Sequence, residues 1–396
     1  MTLDDTQRPI ILAAGGTGGH IFPAEALAEI LIAQGQRVIL VTDSRFAHFT
    51  TGALSHIEKR TIRAGTIGGS PLRKIIGGFG LVMGIIQARK IVRKLNPKAV
   101  VGFGGYPSFP TVLAAAKLGI PTIIHEQNSV LGRANRLLAP RVGRIATSFP
   151  HTQMLADKDK SKTIMTGNPV RISVRALRNV PYASVGQDGK VYILVTGGSL
   201  GATVFSSVVP QAVALLPANL RSRLRIDQQC READLEATKE AYRQLGVSAD
   251  IASFFVDLPT RLASSHLVIA RSGASTVSEL AAAGRPGILV PLPTAMDNHQ
   301  YFNASALEEV GGGWVMTQDG FTAASLAARL EAFLTAPATL SKAAENAKRL
   351  GSPDAAEKLA ALVLTMAENG GQLSGNTQKA IPSIVTRSTH TSMEAA

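Results

Sequence analysis

Short apolar runs that stop at glycine, each followed by a stretch of helical period, recur along the chain. Residues 9–14 (PIILAA) form the first, of the kind buried on both faces in a parallel sheet, and it ends at GGTGGH (15–20). Pro23 then opens a stretch of helical period over 24–33, Gly35 closes it, and RVILVTD (37–43) predicts the next strand. The alternation continues through AVVGFGG (99–105), a helix near 110–118, PTIIHEQ (121–127) and RIATSF (144–149). A polar stretch containing Gly and Pro at about 167–190 interrupts it, and KVYILVTGGSLGA (190–202) then repeats the strand, glycine turn and helix of the beginning. LRIDQQC (224–230), a strand at 251–255, HLVIARSGASTVSELAAAG (266–284) and PGILVPLP (286–293) follow. Such alternation predicts an α/β fold of doubly wound parallel sheets with ligands at the strand carboxyl ends. The expected organisation is two Rossmann-like domains, residues 1–170 and 171–368, facing across a cleft, with a polar, aperiodic and disordered tail over 369–396.

A length of 396 residues with 45% hydrophobic content suits two domains that each bury a core. The single cysteine, Cys230, cannot form an internal disulfide, which fits a reducing compartment, and the polar start MTLDDTQRPI argues against a secretory signal. Charge divides the chain: of its 41 Lys/Arg and 28 Asp/Glu, residues 1–170 carry 21 and 9, and the remainder 20 and 19. The excess peaks over 72–98, where Arg73, Lys74, Arg89, Lys90, Arg93, Lys94 and Lys98 occur without an acid. Ile75, Ile76, Phe79, Leu81, Val82, Met83, Ile85 and Ile86 lie between those clusters, a greasier setting than nucleic-acid patches offer. An apolar patch ringed by cations suits the surface of an anionic bilayer. The uncharged apolar stretch within it, Ile75 to Ile86, is too short for the roughly 20 residues of a spanning helix. A buried helix over about 81–95 with a solvated basic face is the simpler alternative.

Several turns carry groups for chemistry. In residues 15–20 the glycines admit a ligand close to backbone N–H groups at a helix start, a site for phosphate or an acceptor sugar, or only a packing turn. A nicotinamide fingerprint would need a third glycine where Ile21 stands, although Asp43 imitates its acidic partner. His20 could accept a proton from a hydroxyl, or merely cap the helix. GFGGYPS (102–108), TGNP (166–169) and TGGSLGA (196–202) are further glycine turns; the last suits a diphosphate through its backbone donors and Ser199, and Arg171 could add a cation. In residues 270–286, Glu279 lies about two turns into a helix and could accept both ribose hydroxyls, or face solvent. Asp297, His299 and Gln300 offer hydrogen bonds to a sugar. Metal chemistry has little support: Ser129 replaces the second His of H-E-x-x-H, and Asp157-Lys158-Asp159 sits in a charged run. Cys230 has no His nearby in sequence and reads as inert.

GGTGGHIFPAEALA, GFGGYPSFP, HEQNSVLGRANRLLA, TGNPVR, GGSLGA, RSGASTVSELAAAGRP and DNHQ occur in the order found in glycosyltransferase family 28, and over about residues 8–365 the chain resembles the family's peptidoglycan-synthesising members. The resemblance implies a GT-B fold and metal-independent, inverting transfer of GlcNAc from UDP-GlcNAc to the 4-hydroxyl of the muramoyl sugar of lipid I, giving lipid II and UDP, without a cofactor. Thr17, Gly18, Gly19 and Asn128 would contact the donor sugar or approach the acceptor. Arg171 and Ser199 would bind the diphosphate, and the backbone at Val256 would hold uracil. Ala274, Ser275, Thr276, Val277, Ser278 and Glu279 would line the nucleotide, with Glu279 on the ribose, and Gln300 would bind GlcNAc hydroxyls. His20 would be the base candidate. Ile75, Phe79, Leu81, Val82, Arg89, Lys90, Arg93 and Lys94 would meet an anionic membrane, placing the enzyme peripherally on the cytoplasmic face of a bacterial inner membrane, with no nucleic-acid partner. Leu200 and Phe109 depart from the family pattern, and Phe109 puts a close backbone approach at its turn in doubt. A glycolipid synthase or UDP-sugar epimerase of the same fold, or an NAD-binding oxidoreductase, is the alternative.

Overall fold

Every strand pair in the structure is parallel, so each strand must be reached by a crossover, and helices supply these. The computed structural model describes residues 8–16, 18–44, 52–63, 71–186, 188–198 and 202–371, with side chains in the helix beginning at Pro71 described from residue 77. The chain forms two units, Met1–Arg171 with Asp354–Ala396, and Ile172–Pro353.

The first unit holds β1 (Ile10–Ala13), β2 (Val38–Thr42), β3 (Glu58–Thr61), β4 (Ala99–Gly102), β5 (Thr122–Glu126), β6 (Arg144–Thr147) and β7 (Thr163–Met165). Their spatial order is β3-β2-β1-β4-β5-β6-β7. Alternate residues of β1 serve opposite faces. Ile10 and Leu12 pack with Ile21, Leu27 and Leu31 of the helix Gly18–Ala33. Ile11 joins Ala88 and Val92 of the helix Pro71–Leu95 and Val112 of the helix Ser108–Lys117. Both faces are thus covered, which is why these strands read as continuous apolar runs.

The second unit holds β8 (Val191–Thr196), β9 (Leu224–Gln229), β10 (Ser248–Ala252), β11 (Leu267–Ala270), β12 (Gly287–Leu289) and β13 (Gly313–Val315), ordered β10-β9-β8-β11-β12-β13. Val191, Ile193 and Val195 pack against Phe205 and Val209 of the helix Thr203–Leu215 and Leu326 and Leu330 of the helix Ala323–Thr335. In both sheets the winding reverses beside the first strand, between β1 and β4 and between β8 and β11. These are the switch points at whose carboxyl ends ligands bind in such folds.

Four expectations need correction. The first helix starts at Gly18 rather than residue 24, so Gly18, Gly19 and His20 form its first turn and Pro23 lies inside it. The helix Pro71–Leu95 begins ten residues before the expected start at 81, through three glycines, because Ala88, Val92 and Leu95 anchor its second half in the core. The strand expected at 251–255 is Ser248–Ala252, an edge strand, while the greasier Phe254 and Val256 are exposed in the loop beyond it. Finally, the helix Ala355–Glu368 leaves the second unit and packs on the first, where Leu359, Leu362, Val363 and Met366 join the core containing Ile10 and Leu12. The tail over 372–396 lies outside the described residues.

Candidate active site

At the first switch point the turns after β1 and β4 press together. Gly16, Gly104 and Gly105 adopt φ of 90°, 93° and 74°, which side chains rarely accept. A Cβ on Gly105 would strike the Gly15 carbonyl, and one on Gly104 would lie 2.9 Å from Nε2 of the His20 ring. The close approach questioned at Phe109 is therefore made by Gly104 and Gly105, and Phe109 packs against the core below. His20 is half-buried in the first turn of its helix, against Gly104. It is near enough to His125 that its charge helps to lower that residue's pKa. Thr17 lies outside the described residues.

His125, at the end of β5, is wholly buried, and desolvation is the main reason its pKa falls to about 4. Nε2 lies 3.1 Å from the Gly167 carbonyl and so carries the proton, leaving Nδ1 to accept from Gln127 Nε2 at 2.9 Å. That bond ties the TGNP turn to the HEQN loop. Glu126 beside it is also buried. Its Oε1 accepts from the Asn128 N–H at 3.0 Å and Asn128 Nδ2 at 3.2 Å, and its Oε2 from the Gly132 N–H and Asn135 Nδ2, both at 2.8 Å. Burial raises the Glu126 pKa, against the pull of these donors.

Arg171 lies over the Phe22 ring, 5.2 Å from its centroid, beside the helix that begins at Gly18. Glu25 of that helix is buried; desolvation, then Glu29, push its pKa up to about 7 against the opposing field of Arg171. Glu25 Oε1 has no hydrogen-bond partner among the described residues, and Gly52, at φ 56°, packs directly on the carboxyl. Sequence reasoning passed over Phe22 and Glu25, and weighed His125 and Glu126 only as part of an incomplete metal motif. Acids and a histidine within otherwise apolar helix or strand residues were the available signal.

The second switch point brings together two helix starts. Gly198, at φ 77°, follows β8 and donates its N–H to Thr196 Oγ1 at 3.3 Å. Ser199 and Leu200 lie outside the described residues. The helices Thr203–Leu215 and Ala274–Ala283 both begin without a side-chain cap, so N–H groups of their first turns are left for an anion. Ala274, Ser275, Thr276, Val277, Ser278 and Glu279 fill the first six positions of the second helix; Ala274 and Val277 are buried, and Glu279 is half-buried. Ser275 Oγ is buried with no partner among the described residues. Arg271 donates to the carbonyls of Val290 and Pro291 at 3.1 and 3.2 Å and to Gln318 at 2.7 Å, anchoring the loop after β12. That loop carries Asp297 and Asn298, both left-handed at φ 53° and 55°, and leads into the helix His299–Glu309, where Gln300 Oε1 accepts from the Leu292 N–H at 3.0 Å. Two adjacent non-glycine residues in this region cost roughly 1–2 kcal/mol each, strain of the kind that gathers at functional loops.

Val256 is 89% exposed on the loop after β10. Its neighbours are fixed: Arg261 stacks over Phe255 at 4.0 Å and pairs with Asp227, Asp250 and Asp257 at 3.0, 2.7 and 2.9 Å. Behind this loop and the Ala274–Ala283 helix lies the wholly buried Arg285, whose guanidinium donates to carbonyls of Leu262, Ala263, Ala283 and Gly284. Those carbonyls end two helices, so one cation neutralises both negative dipole ends and sets how the helices sit.

The helix Pro71–Leu95 presents one stripe: Phe79, Val82 and Ile86 are 63%, 55% and 44% exposed, and the exposed Arg89, Lys90, Arg93 and Lys94 continue it. Leu81 is half-buried, and the Ile75 side chain lies outside those described. No helix among the described residues is long and apolar enough to cross a membrane. Asp157 and Asp159 pair with Lys160 and Lys162 at 2.7 and 3.0 Å, and among the described residues no cluster of three metal-ligating side chains forms.

The profile of the glycosyltransferase family 28 N-terminal domain matches residues 10–147, and that of the family's C-terminal domain matches residues 192–359. The UDP-N-acetylglucosamine--N-acetylmuramyl-(pentapeptide) pyrophosphoryl-undecaprenol N-acetylglucosamine transferase of Rhodospirillum centenum is 55% identical over 91% of this chain and 95% of its own. The protein of the same name from Paramagnetospirillum magneticum is 53% identical over 92% of this chain and 98% of its own. Among solved structures, MurG of Acinetobacter baumannii is 30% identical, with a TM-score of 0.74 over 91% of this chain and 100% of that one.

Proposed function

As the chain belongs to glycosyltransferase family 28, we propose that it transfers GlcNAc, with inversion, from UDP-GlcNAc to the 4-hydroxyl of the muramoyl sugar of undecaprenyl-diphosphate-linked lipid I, giving lipid II and UDP. The observation that carries this reading in the structure is the second unit's switch point, where two uncapped helix starts and a glycine turn gather beside Glu279. Its chemistry suits a nucleoside diphosphate: N–H groups and helix dipoles for the phosphates, a carboxylate for the ribose hydroxyls and, on the neighbouring loop, backbone at Val256 for uracil.

The reaction builds positive charge at the anomeric carbon and negative charge on the departing diphosphate. Helix N-termini, Ser199 and the Arg171 cation stabilise that leaving group as it forms, and they are worth most where water is excluded. Thr17, Gly18, Gly19 and Asn128 contact the sugar, and Gln300 accepts from or donates to its hydroxyls. His20, against Gly104, takes the proton of the attacking 4-hydroxyl, and attack opposite the leaving group inverts the anomeric centre. The acceptor is tethered to lipid. The stripe from Phe79 to Lys94 supports peripheral docking on an anionic leaflet, the apolar part entering the acyl boundary and the cations meeting phosphates. That surface is the cytoplasmic face of the bacterial inner membrane.

Incubation with a lipid I analogue and labelled UDP-GlcNAc should give labelled lipid II and one UDP per transfer. Epimerised UDP-sugar, or transfer only to a different lipid acceptor, would replace this reading with another enzyme of the same fold.

A further inference from the structure

Each oxygen of Glu126 accepts one backbone N–H, from Asn128 on Oε1 and from Gly132 on Oε2, and each also meets one side-chain amide, that of Asn128 and that of Asn135. A carboxylate so placed can only accept. It therefore decides which way round the neighbouring amide sits: the atom of Asn128 turned toward Oε1 must be the NH2 nitrogen, and Oδ1 must point elsewhere. The other oxygen acts on the loop. By holding the Gly132 N–H and the Asn135 side chain, it fixes the far end of the segment that carries Asn128, just before the helix Arg133–Leu138. Two ends of one loop are thus gathered on one buried side chain.

We infer that Glu126 is a positioning residue that orients Asn128 so that its carbonyl oxygen reads a hydrogen-bond donor, an O–H or the acetamido N–H, on the sugar being transferred. This rests on the reading above that Asn128 contacts sugar. Glu126 itself has every acceptor position engaged and takes no proton in the reaction. Its Oε1 contacts are local, whereas Asn135 is reached across nine residues, so the orientation depends on the folded loop as well as on the dipeptide geometry.

Asn128→Asp keeps an oxygen toward the sugar but sets a second carboxylate against Glu126. It should lose at least tenfold in kcat/KM at pH 8 and regain part of that loss on acidification toward pH 6, where the pair can share a proton, while the wild type does not follow that profile. Glu126→Gln placed on Asn128→Asp should restore activity, because the Gln NH2 can donate to the new carboxylate. In the wild-type background, Glu126→Gln should lose at least tenfold, and adding Asn128→Ala should then cost less than twofold. Thermal unfolding of each variant separates folding losses from catalytic ones. Full additivity of Glu126→Gln and Asn128→Ala, or an Asn128→Asp variant with wild-type kinetics, would overturn the inference. If Glu126→Gln does not fold, the pH profile of Asn128→Asp alone decides. A wild-type protein inactive toward lipid I would instead remove the functional reading, before any variant is compared.

Discussion

In the proposed mechanism His20 and Glu279 divide the chemistry between proton removal and substrate retention, so their variants should divide likewise. His20→Ala is expected to lower kcat by about 10²–10⁴, the usual worth of a positioned base, measured as initial rate at saturating substrates; turnover near wild type would release His20 from that role. Glu279→Ala removes hydrogen bonds to a charged group, each worth about 1.5–3 kcal/mol, so KM for UDP-GlcNAc should rise about 10–100-fold with kcat changed much less. Two buried groups make stability depend on pH in opposite senses. Glu25, raised from 4.5 to about 7, contributes stability that is fully present below 4.5 and lost as pH rises through 7. His125, lowered from 6.5 to about 4, contributes stability that is present above 6.5 and lost as pH falls through 4. Between 4.5 and 6.5 the two slopes oppose each other. Glu25→Gln should therefore raise Tm at pH 8, by about 2–4 °C for each kcal/mol relieved, and expose a steeper loss on acidification from pH 6.5. A Tm profile parallel to wild type would show that Glu25 is not held in its neutral form. Beyond an acid and a histidine placed among apolar neighbours, neither effect is legible in the sequence, since a Glu in a helix and a His in HEQN reveal their burial only when the turns at Gly52 and Gly167 close over them.

Among elements, the helix Pro71–Leu95 shows how much of a surface can be read from pattern. The charge and apolarity of residues 72–98 are legible, but the way they share one face is not, because glycines at 77, 78, 80 and 84 weaken helical expectation. Packing supplies what propensity lacks: Gly84 lets the helix approach the Arg63 backbone closely, where any Cβ would collide. With Arg89 and Arg93 exposed on that face, each worth about 1 kcal/mol near an anionic leaflet, Arg89→Gln/Arg93→Gln should weaken binding to phosphatidylglycerol vesicles roughly 30-fold at low salt. The difference should shrink as salt is added. Vesicle sedimentation measures this, and equal binding of variant and wild type would move the docking surface elsewhere. The glycine turns were more legible than the helix, because a short apolar run ending in glycine has few other uses. Which turns meet was legible only from strand order: β1 and β4 are separated by 85 residues of chain between Ala13 and Ala99 and yet lie side by side.

At the scale of the whole molecule, the returning helix Ala355–Glu368 makes the first unit discontinuous. Leu359, Leu362, Val363 and Met366 are wholly buried there, and at about 1.5–3 kcal/mol each they contribute on the order of the about 5–15 kcal/mol by which a domain is stable. Truncation after Pro353 should therefore lower the unfolding temperature of the first unit by more than 10 °C or abolish its folding, while the Ile172–Pro353 unit keeps its own transition. A single unchanged transition in calorimetry would contradict this. From the sequence alone come the alternation of strand and helix, the restart near residue 190, the glycine turns and the ordered motifs of the family, because each is a pattern within some twenty neighbouring residues. Tertiary structure alone decides that the last helix belongs with the first strands, that His125 meets the Gly167 carbonyl, that Arg285 joins two helix ends and that Glu25 is sealed beneath Gly52. Those facts depend on burial and on pairing between groups far apart in the chain, and neither is written in the local order of side chains.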